Sequence, residues 1–447
     1  MPESTENPRD QEVLGLSREQ ARRMRLVRWV LIRGLFVCLL MAVLEGLSWG
    51  GLALLNRLIS VEFDPISTSR LRPGHQELIV RLFIEKSLYL RHDPVLGWSI
   101  RPSMKLDATR SNADGLRADR EYAAVPPPEA IRICCFGDSY TYGSSVATPD
   151  SWPAFLERSR KGLEVLNFGV PGYGLDQAFL RYSSQGRRYA GHIVLIGFQT
   201  GTLCRNVNTF RPFEHTGTGI PLSKPRFVDG GSRLKLIENP LKTPTDYNRL
   251  FAHSREILAS LGANDLFFKI RYHDGPMDRL ATMRLVKMVC QSWREFSTRS
   301  GALAQGIYNV DSEPFRVTTR IMSEFYDSCL EAGSVPILVV LPYGQDIVNY
   351  YKHSYKAFSP LTEYLEKHGL QYVDVMDILA QKVRTSGTYF IDQHYAPLTN
   401  RLVAEGLSDY MQEHGLSTLE GIRARLAQER TRRLAQSKGC EKDGPRM

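Results

Sequence analysis

The sequence is poor in the residues that mark most cofactor chemistry. Its seven cysteines, at 38, 134, 135, 204, 290, 329 and 440, fall into no metal-ligand spacing and no disulfide framework. Cys134 and Cys135 are neighbours on an extended run, so their side chains point to opposite faces and do not pair with each other. In an exported chain the odd count leaves at least one thiol without an intrachain partner. No zinc spacing, phosphate-cradling glycine loop or basic-aromatic stripe is present. These absences argue against metal, redox and nucleotide enzymes, and no cofactor is expected.

Charge excludes a further class by its distribution. The net charge is +9, but the arginines crowd the two ends: Arg18, Arg22, Arg23, Arg25, Arg28 and Arg33, then Arg423, Arg425, Arg430, Arg432 and Arg433. Nothing between them forms a nucleic-acid footprint, so nucleic acid is not an expected partner. With 43% apolar and 23% charged residues over 447 positions, the chain has the composition of a folded protein. That length holds one large domain with additions, or two domains.

One long apolar run is present. Residues 34 to 55, GLFVCLLMAVLEGLSWGGLALL, carry a single charge, Glu45, and show no polar face. Such a run is long enough to cross a hydrocarbon core as a helix. It is too long for a cleaved signal peptide, and no small-x-small site follows. The arginine excess before it places the amino terminus in the cytoplasm. The expectation is a single-pass anchor in the inner membrane, with a cytoplasmic tail over 1–28, a transmembrane helix over 29–56 and everything after it exported. Glu45, costly within a bilayer, marks either a helix partner or a carboxyl without a role.

Residues 57–129 read as a Pro-punctuated exported extension with turns at Asp93-Pro94-Val95-Leu96-Gly97-Trp98 and Asn112-Ala113-Asp114-Gly115-Leu116-Arg117, closed by Pro126-Pro127-Pro128. From Ile131 strands and helices alternate. Strands are predicted at 131–136, 163–168, 192–198, 335–341 and 372–376, and helices at 151–161, 175–188, 315–332, 360–368 and 398–413. This alternation predicts an α/β domain, about 130–415, with a parallel sheet covered on both faces. An interruption at about 200–314 is too long for a loop; a hairpin at 227–234 and helices at 246–261 and 278–298 suggest a lid or substrate wall, or a structural elaboration. Residues 416–447 read as a basic tail, more a frayed end than a lipid contact.

Chemistry concentrates in three segments. Gly137-Asp138-Ser139 follows the first core strand, so a serine hydroxyl emerges at a strand's carboxyl end, where open α/β sheets place their ligand crevices. Asn167-Phe168-Gly169-Val170-Pro171-Gly172-Tyr173-Gly174 follows the second strand. Asp392-Gln393-His394 precedes the last helix of the domain. A serine becomes a nucleophile when a base takes its proton and a carboxylate orients that base. Asp392 and His394 are a candidate pair for those roles.

In this order the three segments resemble the SGNH (GDSL-type) hydrolase superfamily over roughly 131–413, less the interruption. The resemblance implies a flavodoxin-like three-layer sandwich. It implies Ser139 as nucleophile, His394 as general base and Asp392 as its orienting acid. The backbone N–H groups of Ser139 and Gly172 would serve as oxyanion donors. The family's third donor, an asparagine after the third strand, has no counterpart. The segment Gln199-Thr200-Gly201-Thr202-Leu203-Cys204-Arg205-Asn206 offers Gln199, Thr200, Thr202 or Asn206 as hydrogen-bond donors and Arg205 as a charge, and spacing does not choose among them. Tyr140 and Arg205 are candidate substrate contacts.

The short Asp-x-His form and the upstream extension resemble the membrane-anchored, exopolysaccharide-associated branch. The expected function is a serine acyl-ester hydrolase or O-acyltransferase acting on envelope carbohydrate or lipid through an acyl-enzyme. The alternative is a non-catalytic module of the same fold that binds polysaccharide or scaffolds an envelope complex.

Overall fold

The computed structural model of the chain describes residues 18–59, 63–67, 70–231, 233–297, 301–304, 306–382 and 389–442. They fall into two compact units, Met1–Asp64 with Asp274–Gln291, and Pro65–His273 with Ser292–Met447.

The first unit is built on one helix, Arg18–Ile59. Its Arg22–Leu58 stretch is long and apolar enough to cross a membrane, and the most apolar part of it is not buried in the protein. The helix takes in residues 18–28, which read as part of a cytoplasmic tail; no proline or glycine interrupts them. Glu45 has a defined partner. Its carboxylate accepts hydrogen bonds from the backbone N–H of Ala281, from the Thr282 N–H at 3.0 Å and from the Thr282 hydroxyl at 2.9 Å. Those donors open the Ala281–Ser297 helix. An anion there satisfies amides that have no partner within the helix and meets the positive end of its dipole. The Arg284 guanidinium lies over the Trp49 ring at 5.4 Å and so continues the contact.

The second unit holds a five-stranded parallel sheet: β1 (Ile131–Phe136), β2 (Leu163–Asn167), β3 (Ile193–Gln199), β4 (Val335–Leu341) and β5 (Tyr372–Asp374). Their spatial order is β2-β1-β3-β4-β5. This is the flavodoxin-like doubly wound order, whose ligand crevice lies at the switch point between β1 and β3. The first four strands are buried throughout, as expected of strands covered on both faces. Pro336 is tolerated in β4 because β5 pairs only from Leu338 onward; the missing N–H falls where no neighbour stands. Arg132, inside β1, is fully buried and bonded to Glu164 of β2 at 2.7 Å. It also holds the carbonyls of Ala123 and Ala124 against the sheet.

Beyond the five strands, the predicted hairpin is Arg226–Asp229 paired with Leu234–Ile237. The 246–261 helix is two helices, Pro244–Ala252 and Ser254–Gly262. Three helices had no clear sequence signal: Pro73–Ile84, Gly344–His353 and Val375–Lys382.

Two segments pack more tightly than their sequences suggest. Residues 57–129 read as an extension apart from the catalytic domain, yet Leu71, Ile79, Leu90, Trp98 and Ile100 share one core with Val170 and Tyr173 of the β2 loop and with Phe210, Leu241, Tyr247 and Leu258 of the interruption. The basic tail is the helix Leu419–Lys442, and it is docked. Ile422 is buried, Glu429 accepts a hydrogen bond from the Tyr326 hydroxyl at 2.9 Å, and Arg433 pairs with Asp327 at 2.7 Å. Leu419, Ile422 and Leu426 pack against the core, and the charged groups fasten the helix to the Glu313–Glu331 helix.

Candidate active site

Because all strands of the sheet run parallel, their carboxyl ends share one edge. The loops after β1, β2 and β3 and the hairpin before the Pro397–Glu413 helix meet there around a cleft of about 470 Å³, lined by Ser139, Gly172, Arg117, Arg205 and His394 among others. Ser139 opens the short helix Ser139–Tyr142, which Asp138 caps by accepting the Tyr140 N–H at 2.9 Å. Asn167, the last residue of β2, holds this turn. Its Nδ2 donates to the Thr141 carbonyl at 3.0 Å while its Oδ1 accepts from the Gly169 N–H at 2.9 Å.

The histidine arrives on a hairpin, Phe390–Ile391 paired with His394–Tyr395. Asp392 and Gln393 form its two-residue loop with φ of 46° and 68°, the conformation of a type I′ turn. Three contacts fasten the hairpin. The Tyr140 hydroxyl donates to the Gln393 carbonyl at 2.7 Å, the Tyr395 hydroxyl to the Pro342 carbonyl at 2.9 Å, and Asn400 Nδ2 to the Tyr395 carbonyl at 2.8 Å.

His394 Nδ1 lies 3.1 Å from the Asp392 main-chain carbonyl. A carbonyl only accepts, so Nδ1 carries the proton and Nε2 presents a lone pair. Burial lowers the imidazole pKa below 6.5, opposed first by the charge of Asp138 and then by the Asp392 carbonyl. The ring is therefore neutral at neutral pH. Ser139 Oγ and His394 line the same cleft without a hydrogen bond between them; contacts of this kind tighten around substrate.

The remaining candidates separate into groups. Asp392 is exposed, and its carboxylate makes no hydrogen bond to His394; it orients the ring through its carbonyl. The carboxylate whose field acts most strongly on His394 is Asp138. Burial raises the Asp138 pKa, and the nearby Arg205 charge opposes the rise, with Arg205 Nη1 at 3.3 Å from Asp138 Oδ2. Among the described residues, the backbone N–H groups of Ser139 and Gly172 are committed to no other acceptor. Gly172 has φ 82°, and a Cβ there would come within 2.8 Å of Ile220, so the position requires glycine.

Thr200 and Asn206 do not reach the cleft. The Thr200 hydroxyl donates to Asp346 and accepts the Tyr343 N–H at 2.8 Å. Asn206 Oδ1 accepts the Leu175 N–H at 2.7 Å and its Nδ2 donates to Thr318 at 2.7 Å, which spends the amide at the start of the Leu175–Ser184 helix. Tyr140 is buried and fastens the hairpin instead of lining the cleft, its ring centroid 5.5 Å from that of His394. Of the residues after β3, Arg205 lines the cleft.

Sequence reading missed Asp138 as the acid facing the histidine, Asn167 as the clamp and Arg117 as a lining residue. Asp138 and Asn167 sat inside quoted motifs as turn residues. Arg117 lay in a segment read only as a turn. Among the described residues no cluster of His, Cys, Asp and Glu is arranged to hold a metal ion, and the six cysteines characterised there form no disulfide.

No protein-family model matches the sequence, and no curated protein matches it. Solved structures to which the chain is similar include a protein described as lipolytic, of the G-D-S-L family, from Desulfitobacterium hafniense. It is 13% identical with a TM-score of 0.32, over 62% of this chain and 98% of that one. A member of the same lipolytic family from Veillonella parvula is 11% identical with a TM-score of 0.32, over 63% and 99%. A protein described as an acylhydrolase from Bacteroides fragilis is 12% identical with a TM-score of 0.31, over 64% and 89%.

Proposed function

We propose that this chain is an SGNH-type serine acyl-ester hydrolase or O-acyltransferase of the membrane-anchored branch, working through an acyl-enzyme on Ser139. The observation that carries the reading is the cleft itself. It gathers a helix-opening serine, a neutral histidine whose Nε2 bears the lone pair, and two uncommitted backbone N–H groups at the switch point of a 2-1-3-4-5 sheet. Ser139 Oγ attacks the ester carbonyl as His394 Nε2 takes its proton. The tetrahedral oxyanion is met by the Ser139 and Gly172 N–H groups, with Arg205 supplying positive charge in place of an asparagine donor. Collapse expels the alcohol, which takes the proton from His394. Water or an acceptor hydroxyl then attacks the acyl-enzyme with the same histidine as base.

The Arg18–Ile59 helix anchors the protein in the inner membrane with its arginine-rich end in the cytoplasm, so the cleft works outside that membrane on envelope carbohydrate or lipid. The test is Ser139→Ala. Turnover of 4-nitrophenyl acetate and labelling by a fluorophosphonate should both vanish, and persistence of either would remove the acyl-enzyme from the scheme.

One observation favours a second reading, a binding module that retains the fold. The Asp392 carboxylate makes no hydrogen bond to His394, whose Nδ1 meets the Asp392 main-chain carbonyl instead. An unlabelled Ser139 in the intact chain would decide for it.

A further inference from the structure

Arg117 is an arginine in an unusual position. It lines the cleft that holds Ser139 and His394, yet the residue is only 4% exposed. Its guanidinium lies 4.2 Å from the centre of the Tyr142 ring, and Nη2 donates to the Val146 carbonyl. Its Nε is buried without a hydrogen-bond partner. No carboxylate among the described residues forms an ion pair with it; burial lowers its pKa, opposed first by the Tyr142 phenol and least by the one carboxylate acting on it, Asp150. A buried cation with an unspent donor is costly, and such groups are ordinarily paired.

The second arginine of the cleft, Arg205, shares its charge with Asp138. Among the described residues, no Asp or Glu lines the cleft beside the two guanidiniums. The cleft therefore carries an excess positive charge next to the nucleophile, held on a planar donor group suited to carboxylate, phosphate or sulfate oxygens.

We infer that Arg117, with Arg205 beside it, forms an anion subsite, and that the ester substrate bears a negatively charged group close to the scissile acyl. The inference rests on reading this cleft as the ester site and adds the charge class of the substrate. The anion could come from a uronic-acid carboxylate or from a phosphate on sugar or lipid; oxygen-rich anions of either kind satisfy the same donors.

The experiment compares acetylated glucuronate, acetylated glucose 6-phosphate and acetylated glucose as substrates of the full chain in detergent. At least one anionic ester should exceed the neutral one about tenfold or more in kcat/KM, and the better of the two identifies the source. Arg117→Met should collapse that ratio towards one and Arg117→Lys should restore part of it. A purely structural role would lower all three rates together and leave the ratio standing. Equal rates for the three esters with the wild-type protein would overturn the inference, as would an unchanged ratio in a folded Arg117→Met. Should that variant not fold, the wild-type chain decides by competition: glucuronate or inorganic phosphate should inhibit with a salt-dependent constant, and glucose should not. Should no ester turn over and Ser139 resist fluorophosphonate, the catalytic reading fails by itself. Calorimetry with glucuronate and inorganic phosphate then tests the subsite separately, and absence of heat for both removes it.

Discussion

Tyr140 donates its phenolic hydrogen to the Gln393 carbonyl at 2.7 Å across 253 residues of sequence. The residue after Ser139 thereby grips the residue before His394, so this hydrogen bond ties together the two segments that carry the proposed nucleophile and base. Tyr140→Phe keeps the ring packed against Tyr395 and removes only this tie. A net hydrogen bond contributes about 1 kcal/mol, so the urea midpoint should fall slightly. Turnover of 4-nitrophenyl acetate should fall by about tenfold or more, mostly in kcat, because misplacement of catalytic groups acts on the reacting geometry. Loss confined to KM would contradict the positioning role.

The two candidate acids should separate cleanly. Asp138 caps the nucleophile helix and acts on His394, whereas Asp392 reaches the ring only through its carbonyl. Asp138→Asn should lower kcat/KM by about a hundredfold, the scale of lost acid–base support. Asp392→Asn keeps the carbonyl and should stay within about threefold, as exposed substitutions usually do. The reverse ranking would restore the Asp392 carboxylate as the orienting acid.

The pH profile follows from the sign of the His394 shift. The base must be neutral, and burial has lowered its pKa below 6.5, so the acid limb of kcat/KM should have its midpoint below pH 6.5. The same shift makes the folded state bind its proton less readily than the unfolded chain. The group's stabilising contribution is thus present above pH 6.5 and is lost as the pH drops through the folded value. Arg205 adds to the lowering, so Arg205→Met should move the acid limb towards higher pH. A limb that stays in place would detach Arg205 from the histidine.

Gly172→Ala places a methyl against Ile220 in a left-handed backbone. The strain is on the order of 1–2 kcal/mol. Displacing an oxyanion donor costs about 10²–10³ in kcat, so activity should fall far more than stability. Matched stopped-flow kinetics and thermal unfolding of the one variant check both halves.

Much of this architecture was legible in the chain. The buried runs Ile131–Phe136 and Val335–Leu341 announce themselves because strands covered on both faces cannot be polar. Ser139, Gly172 and His394 were legible because tight turns at strand ends restrict residue choice. The rest depended on distances that sequence does not encode. Nothing local distinguishes the carboxylate of Asp138 from that of Asp392 as the imidazole's neighbour. Thr200 and Asn206 looked available until the buried partners Asp346 and Thr318 were located. Arg117 showed as one more loop arginine because its burial is produced by residues 25 and more positions away, Tyr142 and Val146.

Trp98 imposes an order of events on the growing chain. Its indole N–H holds the Pro171 carbonyl at 2.9 Å, and its own carbonyl holds the Tyr173 hydroxyl at 2.6 Å, so the loop that aims the Gly172 amide rests on it. That platform also needs Tyr247, Leu250 and Leu258, which share its core. During synthesis the serine turn could form while the Gly172 loop still waited for residues some eighty positions downstream of it. On the proposed reading, immature chains would carry Ser139 before the Gly172 loop is supported, a delay suited to an esterase whose cleft works outside the membrane.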